Sequence, residues 1–280
     1  MQPSVNNTTL QQAPEGPVKE LGNVLPRLLD FMATVPPEEY IHFSKLDLAD
    51  GYWRMIVEEE QQWNFAYVMP SAPDKPKRIV VPRALQMGWN ESPAYFCATT
   101  ETVRDVAQTW LDEGKPMPPH FMEEFTTPMT PPRRQTLAGP PAQMSAVYVD
   151  DHIMAAVESQ DGQLLNQTAR ATLHAIHSVF PPPSATNSLG AKDPISEKKL
   201  HKGDGRWATQ KEILGYMLGG VARSVQLPAD RADALSRRFA PSFGRRERSS
   251  SGSDPLWAGS NTQRGFCRLL GVSSCRSTMH

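Results

Sequence analysis

The sequence predicts an α+β fold in which an antiparallel sheet carries helices on one face. Extended runs rich in aromatic and β-branched residues alternate with segments whose apolar residues recur at helical spacing. In addition, apolar residues flank the polar pair Asp150-Asp151 on both sides, which is the pattern of a tight β-hairpin. Strands, helices and a hairpin in this mixed order favour a sheet packed against a helical layer.

In the first half of the chain, apolar residues over 21–32 lie three and four apart, so they predict a helix that is broken at Pro36-Pro37. The extended runs that follow cover residues 41–48, 53–57, 63–69 and 78–81. Residues 92–111 predict a second helix, because Ser92 is a suitable N-cap and Pro93 favours the first helical position.

The second half begins with an insertion at residues 114–143 that contains eight prolines, predicted as a loop that need not hold one conformation. Residues 145–157 form the predicted hairpin, with Asp150 and Asp151 at its tip. Residues 163–180 predict an amphipathic helix that ends at a run of three prolines. Two further extended pieces, around Trp207 and over 212–218, complete the part expected to be ordered.

The formal net charge of −1 hides two unlike regions. Residues 236–280 contain eight arginines against Glu247 and Asp254, a net of +6, which leaves −7 for residues 1–235. The Ser/Arg-rich tail buries little apolar surface and is predicted to be disordered, or to be an out-of-frame product. Residues 1–20 are polar and are also predicted to be disordered, so the predicted folded region spans residues 21–235.

Several classes of function are excluded or disfavoured by the sequence. No apolar run approaches 18 residues, so neither a membrane span nor a membrane partner is expected. The first residues lack a basic and apolar leader, which predicts an intracellular protein that is not secreted. No P-loop or dinucleotide-binding motif is present. His174 and His177 lack a third ligand nearby in sequence, so they are expected to face solvent.

Three carboxylates carry the strongest chemical signal. Asp47 ends an extended run, and Asp150 and Asp151 lie between apolar strand segments. An Asp pair at a turn is by itself ordinary, because Asp favours turns. Here, however, burial of the flanking strands would place like charges side by side, which is costly unless a cation neutralises them. Three carboxylates at strand ends would form an all-oxygen site of the kind that Mg²⁺ prefers.

Four segments in order resemble the motifs of reverse transcriptases. They are KLDLADGYWR at 45–54, LQMGWNESPAYF at 85–96, YVDD at 148–151, and EKKLHKGDGRW with KEILGYMLGG at 197–220. The resemblance covers residues 21–227 and is nearest to the RNA-directed DNA polymerase of gypsy-like LTR retrotransposon polyproteins. It implies a right-hand polymerase palm with partial fingers.

The resemblance also implies roles for individual residues. Asp47, Asp150 and Asp151 would hold two Mg²⁺ or Mn²⁺ ions for nucleotidyl transfer. Nucleotide contacts would come from Leu48, Tyr52, Met87, Gly88 and Lys198, with Tyr52 excluding a 2′-hydroxyl, and the primer grip would be Met217, Leu218 and Gly219. Four of these assignments have a structural alternative: a core aromatic for Tyr52, a plain turn for Gly88, a solvated charge for Lys198 and an apolar core strand for 217–219.

The implied partners are an RNA or DNA template with its primer and deoxynucleoside triphosphates. The thumb, RNase H and integrase domains of such polyproteins are not found in this sequence and would act in trans. The implied location is a cytoplasmic particle or the nucleus. Two alternatives stay open: an inactive retroelement remnant that keeps the palm fold, and a viral RNA-dependent RNA polymerase, against which Tyr52 argues.

Overall fold

The computed structural model of the protein describes residues 5–8, 12–134, 142–183 and 192–239. The chain divides into two compact units, Met1–Ala232 and Asp233–His280. The sheet and the candidate site lie in the first unit. The fold is mixed α+β with small antiparallel sheets.

The helices are α1 (Val5–Thr8), α2 (Glu15–Glu20), α3 (Val24–Thr34), α4 (Glu59–Gln62), α5 (Ser92–Asp112), α6 (Leu164–Val179), α7 (Glu197–His201) and α8 (Ala229–Phe239). Short 3₁₀ helices cover Leu21–Asn23, Gly51–Arg54, Trp63–Phe65 and Glu123–Thr126. The strands are β1 (Ile41–Asp47), β2 (Tyr67–Val68), β3 (Ile79–Val80), β4 (Gln143–Tyr148), β5 (Asp151–Val157), β6 (Gln210–Ile213), β7 (Tyr216–Gly219) and β8 (Ser224–Gln226).

The central sheet has the order β1-β5-β4, and both of its pairings are antiparallel. Its register places Ile41 opposite Val157 at one end and Asp47 opposite Asp151 at the other. The predicted first strand and the predicted hairpin are therefore confirmed. The predicted helices over 21–32, 92–111 and 163–180 are also present as α3, α5 and α6. Ser92 is the first residue of α5 rather than its N-cap, and its hydroxyl donates to the Gln86 carbonyl.

Both faces of the central sheet are covered, whereas the sequence predicted helices on one face. Leu46 of β1 and Met154 of β5 pack with residues of α5 and α6 in one core cluster. Phe43 and Ile153 point to the opposite face and pack with α3 and with the β6–β7 hairpin in a second cluster. The physical reason is that β5 is buried at every position from 152 to 157, so both faces of the strand need a partner.

Three of the predicted extended runs differ from the structure. Residues 53–57 start in a 3₁₀ helix and pair only through the isolated bridge from Ile56 to Ala84, and residues 63–69 contain a 3₁₀ helix followed by the two-residue strand β2. Residues 212–218 are a hairpin, because Leu214 and Gly215 both have positive φ and reverse the chain between β6 and β7. Aromatic and β-branched composition therefore overstated strand content wherever no neighbouring strand was available.

The Pro-rich insertion is partly built into the core, which differs from the expected free loop. Met122 is 3% exposed, and the carboxylate of Glu123 pairs with the Arg170 guanidinium of α6 at 2.7 Å. Residues 135–141 of the insertion lie outside the described residues. Of the tail predicted to be disordered, 236–239 continue α8, and residues 240–280 lie outside the described part of the chain.

The first 20 residues also differ from the expectation of disorder where the structure describes them. Helix α2 occupies Glu15–Glu20, and the Asn6 side chain bonds to the loop before α5. The backbone N–H groups of Gln12 and Ala13 donate to the buried Glu91 carboxylate at 3.3 and 3.2 Å. Because these bonds come from backbone groups, the side chains of a polar segment do not predict them. Within the described residues, no helix has the length and apolar character that crossing a membrane requires.

Candidate active site

The tip of the β4–β5 hairpin is formed by Val149 and Asp150, and Asp151 is already the first residue of β5. Val149 has a φ of 57°, a left-handed conformation that is strained for a β-branched residue. The Leu48 N–H donates to the Asp150 carbonyl at 2.9 Å, which ties the turn to the end of β1. The hairpin turn is thus fixed in a strained conformation that holds Asp150 beside the end of β1.

Asp47 and Asp151 stand directly opposite each other on β1 and β5. Asp47 is only 7% exposed, and Asp150 and Asp151 are half-buried. Like charges at opposed positions of an antiparallel pair are destabilising. The fold therefore concentrates negative charge at one end of its central sheet.

The electrostatics of the three residues show the cost of this arrangement. Burial raises the pKa of Asp150 above its usual range, and the charge of Asp47 raises it further. Burial also raises the pKa of Asp151, where the opposing effect of Lys45 does not cancel it. The Oδ1 atom of Asp151 is buried and has no hydrogen-bond partner within the described structure. These carboxylates gain free energy from any cation that reaches them.

Two lysines lie beside the carboxylates. The Lys199 ammonium donates a hydrogen bond to Asp47 Oδ2. The Lys45 ammonium lies 4.0 Å from Asp151 Oδ1 and 3.6 Å from Asp204 Oδ2. Burial alone lowers the pKa of Lys199, but its hydrogen bond to Asp47 and the nearby carboxylate charges raise that pKa overall. Lys199 is therefore held as a cation at the site.

Lys198, which the sequence favoured as the lysine of this site, is exposed. It lines a cavity of about 760 Å³ together with Asp50, Phe121 and Ser196. The sequence does not show which of two adjacent lysines in a short helix reaches the carboxylates, because this depends on how α7 is rotated about its axis relative to β1. The lysine that reaches the carboxylates is Lys199.

The chemistry of the donor set fits a divalent cation. Three carboxylates supply the hard oxygen ligands that Mg²⁺ prefers, and one buried carboxylate oxygen lacks a hydrogen bond. As the side chains stand, no group of three or more His, Cys, Asp or Glu among the described residues could hold a metal ion. Lys199 stands at Asp47 instead, so cation binding requires that this lysine move away.

Tyr52 lies in the 3₁₀ helix that follows β1, and it is half-buried against the core. Its ring meets that of Phe96 edge to face, with centroids 5.1 Å apart. A Cβ atom at Gly51 would lie 2.5 Å from Cζ of Phe96, so only glycine fits before Tyr52. Burial raises the pKa of Tyr52, and Cys97 and the charge of Asp150 raise it further.

Met87 and Gly88 lie in the loop between β3 and α5. The Met87 side chain is 73% exposed, and Gly88 has a φ of 98°, which glycine adopts without strain. Asn6 donates to the Gly88 carbonyl at 2.9 Å and accepts from the Asn90 N–H at 2.9 Å. Gly88 is therefore explained by its turn, and its nucleotide contact stays a prediction, as does that of the Leu48 carbonyl.

The predicted primer-grip residues belong to β7. Leu218 is fully buried in the second core cluster, Met217 is half-buried, and Gly219 pairs with Ser224 of β8. This hairpin joins the central sheet at Ile41, whose N–H donates to the Gly220 carbonyl. Six residues of strand, about 20 Å, separate Ile41 from Asp47. The structure does not bring β7 to the carboxylates at this junction.

Sequence reasoning also missed His152, the residue that follows the carboxylate pair. It is 0% exposed, and neither ring nitrogen has a hydrogen-bond partner within the described structure. Burial lowers its pKa to about 3, so it is neutral at pH 7. Its position between Asp151 and an apolar strand gave a signal, since alternation places it on the core face opposite to Asp151.

Comparisons with known proteins are limited to structure. No protein-family model and no curated protein sequence matches the chain. One similar solved structure is a foamy viral protease-reverse transcriptase dRH in complex with double-stranded DNA, at 16% identity and a TM-score of 0.43, covering 74% of this chain and 25% of that one. Another is a foamy viral protease-reverse transcriptase in complex with an RNA/DNA hybrid, at 18% identity and a TM-score of 0.39, covering 76% of this chain and 20% of that one. The present chain thus spans a quarter or less of the length of either.

Proposed function

We propose that the chain is the palm region of a reverse transcriptase, an RNA-directed DNA polymerase of the gypsy-like retroelement group. The observation that carries the proposal is the placement of Asp47 directly opposite Asp151, beside the Val149-Asp150 turn. The first and third motifs of the resemblance are far apart in sequence and meet at one end of one sheet. Such an arrangement is costly for stability and is explained by chemistry that needs clustered carboxylates.

The reaction would join a primer 3′-hydroxyl to the α-phosphorus of a deoxynucleoside triphosphate, with pyrophosphate as the leaving group. Asp47, Asp150 and Asp151 would hold two Mg²⁺ or Mn²⁺ ions, which when bound activate the hydroxyl and neutralise charge in the transition state. The protein contributes the position of its carboxylates and their burial. Lys199 would keep the metal-free site neutral enough to fold.

Tyr52 supports the choice of deoxynucleotides. Its ring packs against Phe96 and the first core cluster, so it cannot move aside without repacking the core. A fixed ring beneath the incoming sugar would exclude a 2′-hydroxyl. Replacing Tyr52 with Val is expected to raise ribonucleotide incorporation at least tenfold relative to deoxynucleotide incorporation. If the natural chain already incorporates both equally, Tyr52 is not the gate.

The partners follow from the same proposal: an RNA or DNA template with its primer, and deoxynucleoside triphosphates. A thumb, an RNase H domain and an integrase would work together with the palm, in a cytoplasmic particle or in the nucleus. Met87, Gly88, Lys198 and residues 217–219 keep their proposed contacts with nucleotide or primer, to be tested one at a time.

Primer extension on poly(rA)/oligo(dT) with Mg²⁺ or Mn²⁺ tests the proposal. We expect incorporation by the natural chain and a loss of at least about 10³-fold in the Asp150→Asn variant, as for removal of a principal catalytic group. Asp74→Asn is the matched control, because Asp74 is an exposed aspartate of a loop. Equal incorporation by all three proteins would refute the role of the hairpin.

A second candidate is an inactive remnant that keeps the palm fold. The hydrogen bond from Lys199 to Asp47 favours it, because an ion pair can replace a metal in holding the fold together. The same experiment separates the two. Absence of incorporation by the natural chain, with either metal, would favour the remnant.

A further inference from the structure

Asp47 and the β4–β5 hairpin that carries Asp150 and Asp151 are together called the carboxylate hairpin, and a cluster of three histidines lies outside it. His120 comes from the Pro-rich insertion, and His174 and His177 come from α6. The ring centroid of His120 lies 4.8 Å from that of each of the other two. The His177 side chain is only 9% exposed, which corrects the expectation that it faces solvent. The described part of the insertion packs against α6 through His120 and Glu123.

The hydrogen bonds of the cluster have one possible direction when both rings are neutral. The Met122 backbone N–H donates to His120 Nδ1 at 3.1 Å, so the proton of the His120 ring is on Nε2. His120 Nε2 therefore donates to His177 Nδ1 at 2.9 Å. His177 then carries its own proton on Nε2 and donates it to Asp193 Oδ1 at 3.1 Å. His120, His177 and Asp193 form what we call the His–Asp wire.

The end of the His–Asp wire lies beside the strand that carries Asp47. Asp193 Oδ1 also accepts the Ile195 N–H at 2.8 Å, which fixes the backbone that follows it. In that backbone, the Pro194 carbonyl accepts from the Ala49 N–H and the Ser196 N–H donates to the Asp47 carbonyl, both at 2.8 Å. The two bonds bracket the end of β1, so the orientation of Asp193 sets where this strand end lies.

We propose that His120 and His177 are positioning residues of the candidate active site, which act through Asp193 to hold the end of β1 and hence Asp47. Their effect on catalysis rests on the proposed function, whereas the direction and the structural effect of the wire do not. His174 lies one turn away on the same helix face and bonds only to the Pro118 carbonyl among the contacts described, at 3.0 Å. It is therefore a matched control.

The surroundings keep the His120 ring neutral. Glu123 accepts the His120 backbone N–H at 3.3 Å and is itself paired with Arg170, and the charges of Asp193 and Glu123 raise the pKa of His120 less than burial lowers it. Phe121 stacks on both rings of the wire, with centroids at 4.6 and 5.5 Å. Arg54 donates to the Asp193 carbonyl at 2.7 Å. Burial, with His177 and His174, lowers the pKa of His120 to about 4.

The tautomers of the natural chain provide the first test. ¹⁵N NMR of histidine-labelled protein at pH 7, assigned with His120→Gln and His177→Gln, should show a protonated Nε2 and an unprotonated Nδ1 in both rings. A proton on Nδ1 of either ring at pH 7 would overturn the wire, because Nδ1 is the acceptor at each step.

Amide hydrogen exchange provides the second test. In His177→Ala, protection of the Ala49 and Ser196 amides should fall at least tenfold. His177→Gln should restore much of it, since its amide can still donate towards Asp193. His174→Gln should leave both amides unchanged. Unaltered protection in His177→Ala, or an equal loss in His174→Gln, would contradict the proposal.

Primer extension then connects the wire to catalysis. We expect His177→Ala to lower kcat at least tenfold with little change in KM for the nucleotide, and His177→Gln to recover part of the loss. Equal kcat in His177→Ala and the natural chain would refute the positioning role. If the natural chain does not extend a primer, the proposed function fails, and the tautomers and exchange rates still decide on the wire independently.

Discussion

The carboxylate hairpin and the His–Asp wire are both buried polar clusters, but they satisfy their polar groups in opposite ways. In the hairpin, Asp47 opposes Asp151, one carboxylate oxygen has no hydrogen bond, and Val149 adopts a strained φ. In the wire, His120 and His177 each use both ring nitrogens, and Asp193 accepts from two donors. The carboxylate hairpin therefore lowers the stability of the fold, whereas the polar groups of the His–Asp wire are already paired and do not.

This difference indicates that the carboxylate hairpin is the candidate site and that the His–Asp wire supports it. Buried polar groups normally find partners, so groups without them point to chemistry that the fold does not complete by itself. A fully satisfied network instead rigidifies its surroundings. The hairpin and the His–Asp wire lie on either side of the end of β1 at Asp47. The hairpin supplies negative charge, and the wire holds the backbone.

The largest expected difference is in the response to acid. His120 is neutral when folded, with its pKa lowered to about 4 by burial and by the neighbouring histidines, while an unfolded histidine titrates near its usual 6.5. The unfolded chain therefore binds more protons between pH 6.5 and 4, so stability falls as pH falls through this window. The loss is about 3 kcal/mol from this group. Denaturant unfolding of the natural chain across that range should show it.

Glutamine cannot take up the proton, so the His120→Gln variant should not show the part of the stability loss between pH 6.5 and 4 that comes from this group. His201→Gln, at an exposed histidine of α7, is the control and should keep the slope of the natural chain. Identical slopes in all three proteins would mean that His120 is not held neutral.

The hairpin should respond with the opposite sign. The pKa values of Asp150 and Asp151 are raised, first by burial, so the folded chain holds protons that the unfolded chain has released. Their contribution is thus most favourable at low pH and is lost as pH rises through the raised values. At pH 7, Asp150→Asn should raise the free energy of unfolding by about 1 kcal/mol while removing activity.

Urea unfolding of Asp150→Asn and Asp74→Asn at pH 7 measures this gain, with the exposed Asp74 expected to change stability by less than about 0.5 kcal/mol. A destabilised Asp150→Asn would show that the carboxylate is held by favourable contacts, and the contrast between the two clusters would then be lost.

Lys199 is the cation that already lies at the carboxylate hairpin, so its removal tests how far the hairpin depends on a positive charge. Lys199→Met leaves the buried Asp47 carboxylate without this partner and should lower the free energy of unfolding by about 1 kcal/mol in EDTA, a modest value because the lysine is partly exposed. Mg²⁺ should restore more stability to this variant than to the natural chain. The exposed neighbour, Lys198→Met, should behave like the natural chain in both conditions.

The smallest expected effect concerns the strain at the turn. At an ordinary strand position, alanine is more stable than glycine by about 0.5–1 kcal/mol, but at positive φ the order reverses. Val149→Gly should therefore be more stable than Val149→Ala, whereas at Val147 of β4 the alanine variant should be the more stable one. Both pairs are compared by urea unfolding, and the same order at both sites would argue against strain.

Much of the sheet and of the hairpin could be predicted from sequence, because apolar runs flank Asp150-Asp151 and end at Asp47. The partners of these residues could not be predicted. Which of Lys198 and Lys199 reaches β1 depends on the turn of a five-residue helix, and the wire depends on how a proline-rich segment folds over α6. The local sequence pattern predicts the helices and strands. Contacts between residues 57 and 152 positions apart in the sequence are seen only in the packed structure.

Calorimetric titration of Mn²⁺ into the natural chain and into Asp150→Asn shows whether the carboxylate hairpin is a cation site, without requiring turnover. We expect a saturable binding heat in the natural chain and its loss in the variant, with Asp74→Asn unchanged. Equal heats in all three proteins, or none in the natural chain, would contradict this expectation.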